Sequence, residues 1–263
     1  MKYCRFQTQA GPQYGEVVDR AGTLWIERLL PPFEEDPWTR LSSSGSFEPV
    51  AFGTVKLLAP VVPSKIVCIG RNYRDHAAEL GNEVPKEPLL FLKAPSAVIA
   101  PGEAIQIPAI SQRVDFEGEL AVVIGKRATK IGPAEDVRQY IRGYTIVNDV
   151  TARYLQKSDG QWSRAKGFDT FCPMGPLVTD EIDPAAGLAV ETRLNGELKQ
   201  HGTTRDLIFD IAALLRHITA AITLLPGDVI PTGTPAGVGR MKAGDRVEVT
   251  VEGIGTLSNS VEA

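Results

Sequence analysis

The chain has 263 residues, enough to bury a substantial core in one large domain or in one domain with a small appendage. It is 43% hydrophobic and 23% charged, the balance of an ordinary globular protein rather than a disordered or fibrous one. Its net charge of −4 offers no basic surface for nucleic acid or an anionic membrane. Cys4, Cys68 and Cys172 are far apart and form no CxxC pair, which argues against a disulfide framework or a zinc ribbon and fits a reducing cytoplasm. The opening MKYCRFQTQAGPQYG has no apolar leader core, and no apolar run reaches bilayer length, so a cytoplasmic protein is expected.

In chain order, KYCRFQ, YGEVVDR and TLWIERL read as short strands between turns. The Pro-, Ser- and acid-rich PPFEEDPWTRLSSSGSFEP reads as loop and linker. A small β-rich N-terminal domain over residues 1–60 and a working domain over 61–263 are expected. The latter opens with a strand, KIVCIG, then a helical pattern over Arg74–Leu80 and the Gly- and Pro-bearing loop LGNEVPKEP. Strands ELAVVIG and GYTIVNDV flank a second helical pattern at Glu135–Tyr140. VETRLNGELKQ predicts a hairpin with a type I′ turn at Asn195-Gly196. Leu207–Ile222 places Ile208, Ile211, Ala212, Leu215 and Ile218 on one helix face, and VEVTVE alternates with a period of two. Strands and helices do not alternate regularly, so the fold class is α+β with a large, mostly antiparallel or mixed sheet.

RVDFEGELAVVIG sets Asp115, Glu117 and Glu119 at alternate positions, on one face of a strand. Close carboxylates repel, and their half-burial is costly unless a cation neutralises them. Asp149 follows the apolar run of GYTIVNDV, so two glutamates and an aspartate make an all-oxygen set suited to Mg²⁺ and then Mn²⁺. The alternative is a solvent-facing strand edge with outward charges. In GRNYRDHAAELG, His76 and Glu79 stand three apart on a helical pattern, a spacing that suits a general acid–base pair beside a mobile lid, or an incidental contact on an exposed helix. Lys166, in the aromatic and Gly-rich SRAKGFDTFCPMG, is either an anion-binding or water-tuning lysine or a surface residue. LLPGDVIPTGTPAGVG lacks the strand–turn–helix setting of a nucleotide site, although its N–H groups with Thr232 and Thr234 suit a carboxylate.

Taken together, GRNYRDHAAELG, LFLKAPSAVI, VDFEGELAVVIG, GYTIVNDVTARYLQ, QWSRAKGFDTFCPMGP and PGDVIPTGTPAGVG, spread over about residues 61 to 250, closely resemble the fumarylacetoacetate hydrolase family, in its bacterial acylpyruvase and 2-hydroxyhepta-2,4-diene-1,7-dioate isomerase-like subgroup. The resemblance implies a mixed-sheet roll or incomplete barrel, a homodimer, and Mg²⁺ or Mn²⁺ held by Glu117, Glu119 and Asp149. It implies a His76–Glu79 dyad with Lys166 as catalytic residues, and Arg71, Tyr73, Gln156 and Thr234 around the substrate; Asp115 falls outside the ligand set. Pro231 before TGTP and the stretch QHGTTRDLIF depart from the family pattern without touching this chemistry. The implied substrates are small 2-oxo or 2,4-dioxo acids from aromatic catabolism that react through an enolate, by C–C hydrolysis or by isomerisation of a 2-hydroxymuconate-type acid. Oxaloacetate decarboxylation or tautomerisation is the second reading, and a non-catalytic metal-containing binding protein the third.

Overall fold

Short runs rich in β-branched residues, closed by Gly, Pro or Asn, favour strands over helices, and strands dominate the structure. The computed structural model describes residues 1–36, 39, 47–79, 81 and 83–263. Much of the expected linker, together with Leu80 and Asn82 of the expected lid, lies outside the described residues. The largest sheet runs, in spatial order, Val50–Ala51, Thr23–Leu30, Gly11–Arg20, Lys2–Thr8, Cys172–Thr179, Ile141–Asn148, Gly118–Ile124, Val229–Pro231, Ile66–Gly70 and Leu89–Lys93. Most pairings are antiparallel, but Val229–Pro231 runs parallel to Ile66–Gly70, so the sheet is mixed. A second sheet orders Glu197–Thr203, Ala189–Leu194, Arg246–Val251, Gly255–Glu262 and Ile105–Gln106. A small third sheet joins Thr151–Ala152, Val114–Phe116 and Gly239–Met241. All three are open, an α+β arrangement of mixed sheets with few helices.

The Gly118–Ile124 strand is buried on both faces, which explains its unbroken apolar run. Leu120, Val122 and Ile124 enter a core with Val190, Val249 and Leu257 of the second sheet and Ile211, Leu215 and Ile218 of the long helix. Ala121 and Val123 face the opposite core, with Tyr3, Tyr14, Val147 and Met174. The N-terminal strands extend this same sheet, since Tyr3 pairs with Val178. Their seam is fastened by Arg142, which ion-pairs with Glu35 and stacks 3.9 Å over Phe33.

The hairpin turns at Asn195 and Gly196, with φ of 53° and 82°, as a type I′ turn requires. The long helix spans Ile211–Ala221, starting later than its apolar pattern because Asp210 caps it by accepting from the Ala213 N–H. The expected helix at Glu135–Tyr140 is only a 3₁₀ turn, Val137–Tyr140, tied off by Asp136 accepting from the Arg138 N–H. Two short helices, Arg153–Ser158 and Ser163–Lys166, were not apparent in the periodicity, being too short to display a face.

Candidate active site

The site forms where one strand crosses from the third sheet to the first. Val114–Phe116 pairs with Thr151–Ala152, whereas Gly118–Ile124 pairs with Ile141–Asn148. Glu117 lies at the crossing. Its N–H donates to Asn148 Oδ1 at 2.9 Å, and its carbonyl accepts from the Asp149 N–H at 2.8 Å. Antiparallel register therefore carries Asp149 beside the two glutamates. Gly118 permits the close approach of the second sheet, because a Cβ there would stand 2.2 Å from Thr192 Oγ1 and 2.7 Å from Val249 Cγ1.

Glu117, Glu119 and Asp149 are 4%, 2% and 1% exposed, which removes the reading of a solvated strand edge. One oxygen from each lies within 4.8 Å of the others. Their neighbours are unequal. Lys166 Nζ donates to Glu117 Oε2 at 2.8 Å and also to Asp149 Oδ2. Lys93 Nζ donates to Asp149 Oδ1 at 2.7 Å. Arg153 donates to Glu117 Oε1 at 2.7 Å, to Asp115 Oδ2 at 2.9 Å and to Gln156 Oε1 at 2.8 Å. Among the described residues Glu119 has only the Gly233 N–H as hydrogen-bond donor, 2.7 Å from its Oε2.

The electrostatics follow that inequality. Burial opposes ionisation of Glu117, yet Lys166, Arg153 and His76 outweigh it and hold its carboxyl below the usual range. Burial pushes Glu119 well up, and the negative charges of Asp149 and Glu117 push it further. Burial disfavours the Lys166 ammonium, but Asp149 and Glu117 keep it charged. Glu119, short of cationic partners and next to two further carboxylate oxygens, fits a hard divalent cation with Glu117, Glu119 and Asp149 as ligands.

A cavity of about 280 Å³ opens over this floor. Its wall includes Arg71, His76, Phe91, Arg113, Gln156, Lys157, Trp162, Lys166 and Thr234. His76 Nδ1 lies 3.5 Å from Glu79 Oε2, an ion-pair distance, yet among the described residues the nitrogen has no hydrogen-bond partner. We read this as electrostatic proximity rather than a made hydrogen bond. Glu79 is not on the cavity wall; its two carboxylate oxygens accept from the Gly237 N–H at 3.1 and 3.2 Å. Thr234 Oγ1 donates to the Gly118 carbonyl at 2.9 Å and accepts from Gln200 Nε2 at 2.7 Å. Tyr73 faces a neighbouring cavity with Arg74, His201 and Arg205 instead of this one. Asp115 is fully buried and held by Arg113 and Arg153.

Sequence reasoning missed Lys93, Arg153, Trp162 and Gln200. Lys93 closes the apolar strand LLFLK without a sign of where its side chain goes, and Arg153 and Gln200 look like any surface polar residue. Trp162 abuts Gly70, where a Cβ would come within 2.7 Å of the indole.

Arg71 has φ of 56°, a left-handed backbone that costs on the order of 1–3 kcal/mol for a non-glycine residue. Asn72 holds the turn: its side chain donates to the Thr232 and Phe209 carbonyls at 2.8 and 3.1 Å and accepts from the Phe209 N–H at 2.8 Å.

Residues 65–262 match the profile of the fumarylacetoacetate (FAA) hydrolase C-terminal domain. An oxaloacetate tautomerase of Bacillus subtilis is 46% identical over 231 residues, 82% of this chain and 76% of that protein. The crystal structure of 2-hydroxyhepta-2,4-diene-1,7-dioate isomerase from Mycobacterium marinum aligns with a TM-score of 0.86 at 42% identity, over 100% of this chain and 98% of that one. The structure of 5-carboxymethyl-2-hydroxymuconate delta-isomerase from Mycobacterium smegmatis gives 0.86 at 41% identity with the same coverage. With the motifs in order and the domain matched along most of the chain, this protein belongs to the fumarylacetoacetate hydrolase family.

Proposed function

We propose that this protein is an enzyme that isomerises or tautomerises small, enolisable 2-oxo dicarboxylic acids with the help of Mg²⁺ or Mn²⁺. The observation that carries the reading is the buried Glu117–Glu119–Asp149 cluster, its Glu119 short of cationic partners, lining a cavity that also presents His76 and Lys166. The tautomerase and isomerase names of its relatives support the reaction class. A bound divalent cation supplies Lewis acidity that favours an enolate over its parent ketone. The protein's own residues handle protons and position. His76, on the wall and paired electrostatically with Glu79, takes a proton from the enol oxygen and returns it to carbon, with no net proton change. Lys166 holds positive charge where the oxyanion develops, and Gln156 and Thr234 orient the substrate.

Hydrolytic C–C cleavage is the second reading. The same His76–Glu79 pair suits deprotonation of a water, and release of pyruvate would mark it. Decarboxylation of oxaloacetate uses the same enolate. Steady-state assays of metal-stripped and Mg²⁺- or Mn²⁺-loaded protein on oxaloacetate, acetylpyruvate and a hydroxymuconate-type diacid separate these outcomes. Metal-dependent change of enol absorbance without pyruvate is expected. Pyruvate from acetylpyruvate moves the assignment to a hydrolase, pyruvate from oxaloacetate alone moves it to a decarboxylase, and the absence of metal-dependent turnover overturns the enzyme reading for these substrates.

The proposal extends to a cytoplasmic homodimer. The Leu89–Lys93 edge strand leaves Leu89 and Leu92 exposed, a surface suited to cover by a second copy, and light scattering gives the mass. Among the described residues, no helix is long and apolar enough to cross a membrane.

A further inference from the structure

The loop after Val229–Pro231 spends its donors inside the protein. Thr232 Oγ1 donates to the Leu120 carbonyl at 2.8 Å, the Gly233 N–H goes to Glu119, and Thr234 Oγ1 donates to the Gly118 carbonyl at 2.9 Å. The two hydroxyls expected to suit a carboxylate therefore have no proton left to give one. Thr232 is fully buried, but Thr234 stands on the cavity wall.

Gln200 fixes what Thr234 offers there. This glutamine comes from the second sheet, on strand Glu197–Thr203, and is fully buried. Its Oε1 accepts from the Gly118 N–H at 2.9 Å, and its Nε2 donates to the Pro235 carbonyl and to Thr234 Oγ1, both at 2.7 Å. A backbone N–H can only donate and a backbone carbonyl can only accept, so Gly118 and Pro235 leave the amide one orientation. That orientation aims an N–H at Thr234 Oγ1. The Thr234 proton must point elsewhere, and the Gly118 carbonyl takes it. A hydroxyl has one proton and two lone pairs. With the proton and one lone pair engaged, Thr234 can offer a ligand only its second lone pair.

We propose that Gln200 is a positioning residue that makes Thr234 a hydrogen-bond acceptor and not a donor, so that this point of the wall takes the protonated oxygen of an enol and disfavours a ketone or carboxylate oxygen. The proposal rests on the function given above, and within it sets which tautomer the wall holds. An acceptor oxygen set against Thr234 would meet a lone pair with no proton between them, and both oxygens would lose water without gaining a partner. Gln200 acts through Thr234 and does not line the cavity itself.

The test is calorimetric binding of oxalate and oxamate to Mg²⁺-loaded protein. Oxamate carries an NH₂ group in place of one oxygen of oxalate, so the two are close in shape and only oxamate has donors. Their charges also differ, so the quantity compared is the change in the affinity ratio between parent and variant. Thr234→Val removes the acceptor and keeps the shape. It should weaken oxamate by about five- to tenfold, the effect of one net hydrogen bond, and leave oxalate within about twofold. Thr234→Ser should keep the parent ratio. Gln200→Met frees the hydroxyl to turn its proton to a ligand, and should shift the ratio toward oxalate by about threefold or more. In the Thr234→Val background it should shift the ratio no further. Equal loss of both probes in Gln200→Met makes the glutamine a structural tie and overturns its positioning role. Unchanged oxamate, or loss of oxalate instead, in Thr234→Val overturns the acceptor assignment. The Thr234 variants leave Gln200 tied to Gly118 and Pro235, so they decide that assignment even where Gln200→Met fails to fold. If the ratios follow this pattern but the parent turns over no 2-oxo acid, the proposed reaction fails and the hydrogen-bond assignment stands. If the parent binds neither probe, both fall.

Discussion

Asp228 and Glu119 are both buried carboxylates at the edges of neighbouring strands, and the chain treats them differently. Asp228 accepts from Ser64 Oγ at 2.6 Å, from the Lys65 N–H at 3.1 Å and from the Leu225 N–H at 2.7 Å, and it ion-pairs with Lys65 at 2.5 Å. Every lone pair has an answer, and the group clamps a loop to a strand. Glu119 has one backbone donor, and its nearest charged neighbours include two other acids. A buried charge with matched partners is architecture, whereas one left short of partners marks a place where something else must bind.

The largest expected effect comes from ending that difference. Glu119→Gln should lower turnover by at least about a hundredfold, more than loss of an outer-shell residue costs at a metal site. In chelator-treated protein the same substitution should raise Tm by a few degrees, since relieving an unsatisfied buried group is worth about 1–3 kcal/mol. Added Mg²⁺ should no longer stabilise the variant. A fall in Tm with turnover intact would instead make the cluster structural.

Lys93→Met tests the matched side of the site. It strands Asp149 Oδ1 in a fully buried place, which should cost about 3–5 kcal/mol and reduce turnover by about ten- to a hundredfold. Unfolding in urea and steady-state kinetics check the two parts, and unchanged stability would show that Asp149 finds another partner. Asp228→Asn should cost about 2 kcal/mol and lower Tm on the order of 5 °C while turnover stays at the parent level. Loss of activity there would erase the contrast with Glu119. The smallest effect is chemical. Burial pushes the Cys4 thiol up to about 12, and it likewise pushes Cys172 to about 12, with Lys93 and Asp149 acting in opposite directions. Cys68 is raised well above its ordinary value by burial and by Asp149. A disulfide exchange reagent at pH 8 should therefore label no thiol in the folded protein and all three after denaturation.

Much of the site was legible in the chain because its chemistry is local. Glu117, Gly118 and Glu119 are adjacent, and Asp149 ends a strand whose apolar run is plain. The hairpin was legible because Asn-Gly fits the two positive φ angles of its turn. Lys93 was not, because nothing in LLFLK tells that its last residue points across the sheet to Asp149, 56 positions away. The Glu135–Tyr140 turn misled because six residues are too few for helical periodicity to outweigh an Asp that ties off the chain. Tyr73 was misplaced because a motif position says nothing of which of two adjoining cavities its ring meets: His76, three residues on, lines the first, whereas Tyr73 lines the second.

The sequence by itself determined the strand-rich α+β character, the family, and the identities of the three acids, since residue type, short-range periodicity and motif order are properties of the chain. Only the tertiary structure decided that those acids are buried, and that Lys93, Lys166 and Arg153 answer two of them and leave Glu119 short. Burial and charge balance depend on groups brought together from distant parts of the chain, and the energy of a buried charge is set by those neighbours rather than by its own residue type.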